Sequence, residues 1–301
     1  MQIIKTDIER PNFTNISFKQ EYEKDADKYR KLMSNIVEVF NRIEYLSVIE
    51  GTRDAHLLFI RPADVEHKRA EFRKYGLEIV LLNKEADNMS GNYGNHSLPW
   101  DGQAQFVWRS IVTKPELVSK WNDIWKTRER DVFMGEYLIG RGLGYPHCCS
   151  EHFTEVWMRR GGIDTTWQQA ACTITNTSDY VEAENILGEY NAIELPETTP
   201  IWASNLLRWA GLKLVTHLPC SFNCTESKRI ALENLGIATK YGYGYEYNML
   251  CKMLDWEITW TAEYGVATID TPVFTIHTLT DVTATPYKVI KKGNKQCIFV
   301  K

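Results

Sequence analysis

The chain has 301 residues, which is enough for two domains or for one large domain that mixes helices and strands. Hydrophobic residues make up 44% and charged residues 25%, so a disordered or fibrous chain is excluded. The net charge of −4 disfavours a protein that depends on non-specific nucleic-acid binding, because such proteins are usually basic. The apolar runs are too short for a membrane span and the N-terminus does not resemble a signal peptide, so we expect a cytoplasmic protein with no membrane partner.

The first part of the chain alternates between helical and strand patterns. Apolar residues recur at helical spacing over 18–46 and predict a long helix. Residues 56–60 predict a strand, 62–75 a helix that begins at a proline, and 77–82 a second buried strand. This strand–helix–strand order suggests parallel pairing in a small α/β layer.

The middle of the chain begins with a polar segment. Residues 83–102 are rich in Asn, Gly, Ser and Asp and predict a long loop. A strand is predicted over 103–111, followed by helices over 114–127 and 130–139.

The last part of the chain changes from helical to strand periodicity. Helices are predicted over 219–235 and 245–254, and a β-meander over 257–278. We therefore expect an α+β fold, with an N-terminal α/β layer followed by a mixed helical and antiparallel-strand portion that carries a Cys/His site. The predicted division is 1–128 and 129–301, with one continuous domain as the alternative.

Two short segments contain four of the seven cysteines. Residues 144–153 read GYPHCCSEHF, and residues 217–227 read HLPCSFNCTES. In each, a proline precedes the cysteines and a helical pattern follows. Proline favours the first position of a helix, so both segments are predicted to place thiols in a first helical turn, where the positive end of the helix dipole favours thiolate. These thiols are Cys148, Cys149, Cys220 and Cys224.

Three kinds of chemistry fit these residue types. In the first, the four cysteines hold an iron–sulfur cluster. In the second, a zinc ion takes Cys220, Cys224, one of the paired cysteines Cys148 and Cys149, and His152 or His147. In the third, no metal binds and a thiol of lowered pKa is a nucleophile or a redox group. The alternative to all three is that the cysteines are small buried apolar residues at helix starts.

Neighbouring residues supply further candidates. His147, His152 and His217 are predicted ligands or proton carriers. Glu151 is a candidate general acid or base, although a carboxylate early in a helix also stabilises the helix dipole. Arg141 lies in a glycine-rich segment and is a candidate for binding an anion.

The two segments also carry a resemblance. The pattern LGYPxCCxxxF, at Leu143 to Cys149 with Phe153, followed by HxPCxxxC at His217 to Cys224, resembles an uncharacterised domain family of archaea, bacteria and their viruses. The resemblance covers about residues 134–235. That family has no established activity, so the resemblance implies only that the two motifs form one site.

Our first hypothesis is an enzyme whose iron–sulfur cluster, or alternatively zinc, acts on a small substrate such as a nucleotide or modified base. The second is a binding module in which a structural zinc site supports contacts with nucleic acid or a protein partner. The third is a metal-free enzyme that uses a reactive thiol.

Overall fold

The computed structural model describes residues 14–86, 102, 105–159, 166–176, 192–196, 206–280 and 286–295. Its fold is α+β, as the sequence predicts. The helices are α1 (Ala26–Ile49), α2 (Val65–Arg73), α3 (Val118–Arg130), α4 (Val132–Gly142), α5 (His147–His152), α6 (Thr166–Thr175), α7 (Thr225–Lys240) and α8 (Gly244–Leu254). The strands are β1 (Thr14–Phe18), β2 (Ala55–Ile60), β3 (Glu78–Ala86), β4 (Phe106–Thr113), β5 (Ala192–Glu194), β6 (Ile258–Glu263), β7 (Val266–Asp270), β8 (Phe274–Leu279) and β9 (Tyr287–Lys291).

In the described residues, β2, β3 and β4 form a small sheet in the order β2-β4-β3. Both outer strands pair antiparallel with β4, so they run parallel to each other without touching. The predicted direct pairing of the two strands around α2 is therefore wrong. The separating strand, β4, follows the segment predicted as a long loop. Residues 87–101 of that segment lie outside the described residues, and residues 83–86 belong to β3.

The larger sheet has the order β1-β8-β7-β6-β9-β5 within the described ranges. The predicted meander is confirmed as β6, β7 and β8, which pair antiparallel in sequence order. Strand β9 pairs with both β6 and β5, so it lies inside the sheet.

Helix α1 packs on the large sheet and also reaches the small one. Its buried residues Tyr29, Ile36 and Phe40 share one apolar core with Trp260 and Phe274 of the large sheet. Its last turn adds an apolar side chain to the core of the small sheet. This apolar core contains residues from both sides of the predicted division at residue 128. Strands β1 and β8, which pair with each other, also come from opposite sides of it. The division itself stays a prediction. No helix in the described part of the chain is both long and apolar enough to cross a membrane.

Candidate metal centre

The first cysteine segment forms a short helix, as predicted, with its proline one position earlier than expected. Gly144 has a φ of +80°, a conformation that favours glycine, and the chain turns there between α4 and α5. Pro146 is the N-cap of α5, and its carbonyl accepts a hydrogen bond from Ser150 N at 2.9 Å. Cys148 and Cys149 therefore lie in the first turn of α5.

The second cysteine segment is not helical where the sequence predicts a helix. Helix α7 begins at Thr225, and Cys224 is its N-cap with an extended ψ of 110°. The preceding loop is held by α6: the Gln169 side chain donates to the Pro219 carbonyl at 2.7 Å, and Phe222 N donates to the Thr173 hydroxyl at 2.8 Å. Cys220 therefore does not share a helical face with Cys224, and the loop brings the two thiols together instead.

The structure places all four motif cysteines in one group. Their sulfur atoms lie within 4.8 Å of one another and could hold a metal ion. The Sγ atom of Cys224 is 3.6 Å from that of Cys149 and 3.8 Å from that of Cys148. The adjacent cysteines Cys148 and Cys149 have their sulfurs 3.9 Å apart. Cys148 and Cys224, which are 76 positions apart in the sequence, thus lie next to each other.

The sulfur group is mostly shielded from solvent. Cys149 is 1% exposed, Cys220 6% and Cys224 7%, whereas Cys148 is half-buried. Hydrogen bonding with Cys148 raises the pKa of the Cys149 and Cys220 thiols and lowers that of Cys224, and hydrogen bonding with Cys149 lowers the pKa of Cys148. Four sulfurs this close repel one another when all are ionised. A divalent cation at their centre would remove that penalty, because metal binding and thiol deprotonation are linked.

Two neighbours extend the group. The backbone N–H of Cys220 donates to Cys149 Sγ at 3.4 Å, and Ser227 Oγ lies 3.3 Å from the same sulfur. Ser227 Oγ is also 2.8 Å from Nε2 of His217. His217 is therefore connected to the thiols through a serine, and burial lowers its pKa to about 3. The sequence motifs do not single out Ser227. Its position three residues after Cys224, in the first turn of α7, was the available signal.

His152 is buried beside the group but does not belong to it. It is 4% exposed, and neither ring nitrogen has a hydrogen-bond partner among the residues that the structure describes. Burial lowers its pKa to about 4, and the nearby Cys224 opposes this shift, so the imidazole is neutral. It is not among the residues whose ligand atoms come together with the sulfurs.

The remaining candidates lie at the surface. Nδ1 of His147 is 2.8 Å from the Tyr137 hydroxyl, and Nε2 is 3.2 Å from a carboxylate oxygen of Glu151. Arg141 donates to the carbonyl of Tyr145 and is exposed. The roles predicted for His147, Glu151 and Arg141 in catalysis stay predictions.

Two further cysteines among the described residues lie apart from the group. Cys172 is buried in α6 and Cys251 is half-buried in α8. Cys297 lies outside the described residues.

Comparison with protein families, with curated proteins and with solved structures finds no match to the chain. The resemblance to an uncharacterised domain family therefore stays a prediction, and the function has to be inferred from the site itself.

Proposed function

We propose that the protein binds a single zinc ion through the thiolates of Cys148, Cys149, Cys220 and Cys224. The observation that carries the proposal is the spacing of the sulfurs. A tetrahedral ion with Zn–S bonds of about 2.3 Å separates its four sulfurs by about 3.8 Å. Three pairs of these sulfurs are separated by 3.6, 3.8 and 3.9 Å. Tetrahedral sites made of four sulfurs are typical of zinc or iron.

The same spacing favours a single ion over the iron–sulfur cluster of our first hypothesis. A cluster bound by four cysteines distributes its thiolates over two or more iron atoms. Thiolates bound to different iron atoms are therefore farther apart than thiolates that share one ion. All four sulfurs here lie within 4.8 Å of one another, a group compact enough for one ion.

The donor set favours a structural role for the ion. Catalytic zinc sites keep one position open for water or substrate, whereas structural sites are closed by four protein ligands. Four thiolates close this site, and three of them are buried. The ion would connect α5 to the loop before α7, which α6 also holds through two hydrogen bonds. This corresponds to the structural zinc of our second hypothesis. The described residues identify no nucleotide, nucleic-acid or protein partner, so those partners and the cytoplasmic location stay predictions.

The test is elemental analysis of the full chain purified without oxygen, together with its visible spectrum. We expect one zinc per chain, no colour and no acid-labile sulfide. Replacement of zinc by Co²⁺ should give the visible absorption of a tetrahedral thiolate complex. Cys224→Ser should lose most of the zinc, whereas Cys251→Ser, which changes a half-buried cysteine outside the group, should keep it.

Two other outcomes would contradict the proposal. Iron and sulfide in cluster stoichiometry would restore the first hypothesis. A metal-free protein that cannot be loaded with Zn²⁺ would leave the reactive-thiol hypothesis, which alkylation rates measured against pH would then examine.

A further inference from the structure

The four thiols of the metal centre differ in their access to solvent. Cys148 is half-buried, whereas Cys149, Cys220 and Cys224 are buried. The difference follows from the position of Cys148 in the first turn of α5, directly after the exposed residue His147. A small reagent dissolved in water therefore reaches the Cys148 sulfur before it reaches the other three.

The thiols also differ in the groups that contact their sulfurs. The Cys149 sulfur accepts a hydrogen bond from the backbone N–H of Cys220 at 3.4 Å and lies 3.3 Å from the Ser227 hydroxyl oxygen. Cys224 also interacts with the Ser227 hydroxyl. Among the described residues, the side-chain partners of Cys148 are other cysteines. Donated hydrogen bonds withdraw charge from a thiolate, so Cys148 is both the most accessible of the four sulfurs and the one without an N–H or hydroxyl donor in the described part of the chain.

A second thiol lies within reach of Cys148. The Sγ atoms of Cys148 and Cys224 are 3.8 Å apart, and the two residues belong to different segments of the chain. Cys149 is at a similar distance, 3.9 Å, but it follows Cys148 in the same helix. Consecutive residues of a helix do not face each other, so a disulfide between them would distort α5. Cys224 is the N-cap of α7 and lies outside the helix, so it is the better partner.

We propose that a hydroperoxide oxidises this centre, with Cys148 attacked first, and that a Cys148–Cys224 disulfide forms as zinc is released. The inference rests on the proposed zinc site and adds a modification to it. A hydroperoxide is small and uncharged and has an electrophilic oxygen, which are the properties needed to react with a half-buried thiolate.

The reaction has two steps. The Cys148 thiolate attacks the terminal oxygen of the hydroperoxide, an S–O bond forms, and the O–O bond breaks. The leaving alkoxide, or hydroxide from hydrogen peroxide, takes a proton from water. The Cys224 thiolate then attacks the sulfur of the Cys148 sulfenic acid, an S–S bond forms, and hydroxide leaves and takes up a proton. Two thiolates thus lose two electrons in total, and the hydroperoxide is reduced to an alcohol, or to water, and water.

The disulfide removes two of the four zinc ligands. Cys149 and Cys220 remain, and two thiolates are too few for a tetrahedral site, so the ion leaves and both thiolates take up protons. The disulfide joins α5 to the start of α7, the same part of the fold that the ion would connect. The oxidised chain therefore keeps one cross-link there, and a dithiol reductant with Zn²⁺ should restore the original site.

The experiment treats the full, zinc-loaded chain with hydrogen peroxide. A chromogenic chelator measures released zinc, and mass spectrometry of digested, alkylated protein locates disulfides. Dimedone, which reacts with sulfenic acids, labels the first oxidised residue during partial reaction. We expect release of one zinc per chain, a disulfide between Cys148 and Cys224, and about tenfold or more dimedone on Cys148 than on Cys149 or Cys220. Dithiothreitol with Zn²⁺ should then restore the bound zinc.

Two variants provide controls. Cys251 is half-buried, as Cys148 is, but lies outside the group, so Cys251→Ser should release zinc as the wild type does. Cys224→Ser removes the second thiol, so its Cys148 sulfenic acid should persist and be labelled by dimedone without a disulfide at Cys148. The disulfide map of the wild type decides the question even if this variant does not fold.

Three results would overturn the inference: zinc that stays bound through peroxide treatment, a disulfide that joins a different pair, or dimedone found chiefly on Cys149 or Cys220. Zinc analysis before peroxide is added separates this inference from the proposed function. A chain that cannot bind zinc at all contradicts the proposed function, whereas a chain that binds zinc and keeps it in peroxide contradicts only the oxidation of the site.

Discussion

Replacement of Cys220 by serine is the most direct test of a metal that stabilises the fold. A serine hydroxyl stays protonated near neutral pH, so Cys220→Ser removes one of four thiolates with little change in size. Structural zinc contributes about 10–16 kcal/mol in small zinc-binding peptides, so one thiolate of four corresponds to about 2.5–4 kcal/mol. A change of that size lowers zinc affinity by about two to three orders of magnitude. It is also a large share of the roughly 5–15 kcal/mol by which a folded protein is stable.

The assay is urea unfolding, followed by circular dichroism, at a free Zn²⁺ concentration held constant by a buffer. We expect Cys220→Ser to lose about 2.5–4 kcal/mol of unfolding free energy relative to wild type. Cys251→Ser should lose much less, because its thiol lies outside the group. A chelator should remove zinc from both proteins and lower the stability of each. The difference in unfolding free energy between wild type and Cys220→Ser should then become small. A Cys220→Ser protein that retains its zinc and its full stability would refute the assignment of this residue as a ligand.

Three further variants test other parts of the structure. Glu44→Gln leaves the buried charge of Arg53 unpaired and should cost about 3–5 kcal/mol in urea unfolding. Burial raises the pKa of Glu44, but Arg53 and its other partners lower it to about 2 in the folded protein. The wild type should therefore lose stability as the pH falls from about 4.5 toward 2. Glu44→Gln has no carboxyl group at this position and should not show this loss. In thermal unfolding, Gly135→Ala should destabilise by about 1–3 kcal/mol, because its Cβ would lie 2.2 Å from the backbone of α3. Gly236→Ala, on a helix with open space around it, should instead stabilise by about 0.5–1 kcal/mol. His152→Phe should keep one zinc per chain and should not lose stability, because the imidazole it removes is buried and unpartnered among the described residues. Loss of zinc from this variant would show that the imidazole is a ligand.

Local patterns in the sequence predicted the elements whose signals are local. Apolar spacing located α1, although its first turn begins at Ala26, after a 3₁₀ helix over Gln20–Asp25. Pro62 marked the start of the helical segment that continues into α2. The concentration of cysteines in two short segments was enough to predict one site, because clustered thiols in a chain of this kind are typical of metal or redox chemistry.

Features set by distant parts of the chain could not be predicted in this way. The order of the small sheet depends on β4, which follows β3 only after the segment at 87–101 and then lies between the two earlier strands. The helix predicted over 219–235 has suitable periodicity, but two of its first backbone groups bind side chains of α6 instead. The pairing of Glu44 with Arg53 is equally hidden, because a charged residue within an amphipathic helix is normally expected to face solvent.

A hydrogen-bond chain runs from Cys149 through Ser227 to the buried imidazole of His217. The Ser227 hydroxyl has a single proton to donate. When Cys149 is a metal-bound thiolate, that proton is directed to the sulfur, 3.3 Å away, so Nε2 of His217 must donate to Ser227 Oγ across 2.8 Å. The His217 imidazole is neutral, because burial lowers its pKa to about 3, and its Nδ1 is then an acceptor. Ionisation of the thiol at the metal centre therefore fixes which ring nitrogen of His217 carries the proton and leaves Nδ1 as the acceptor.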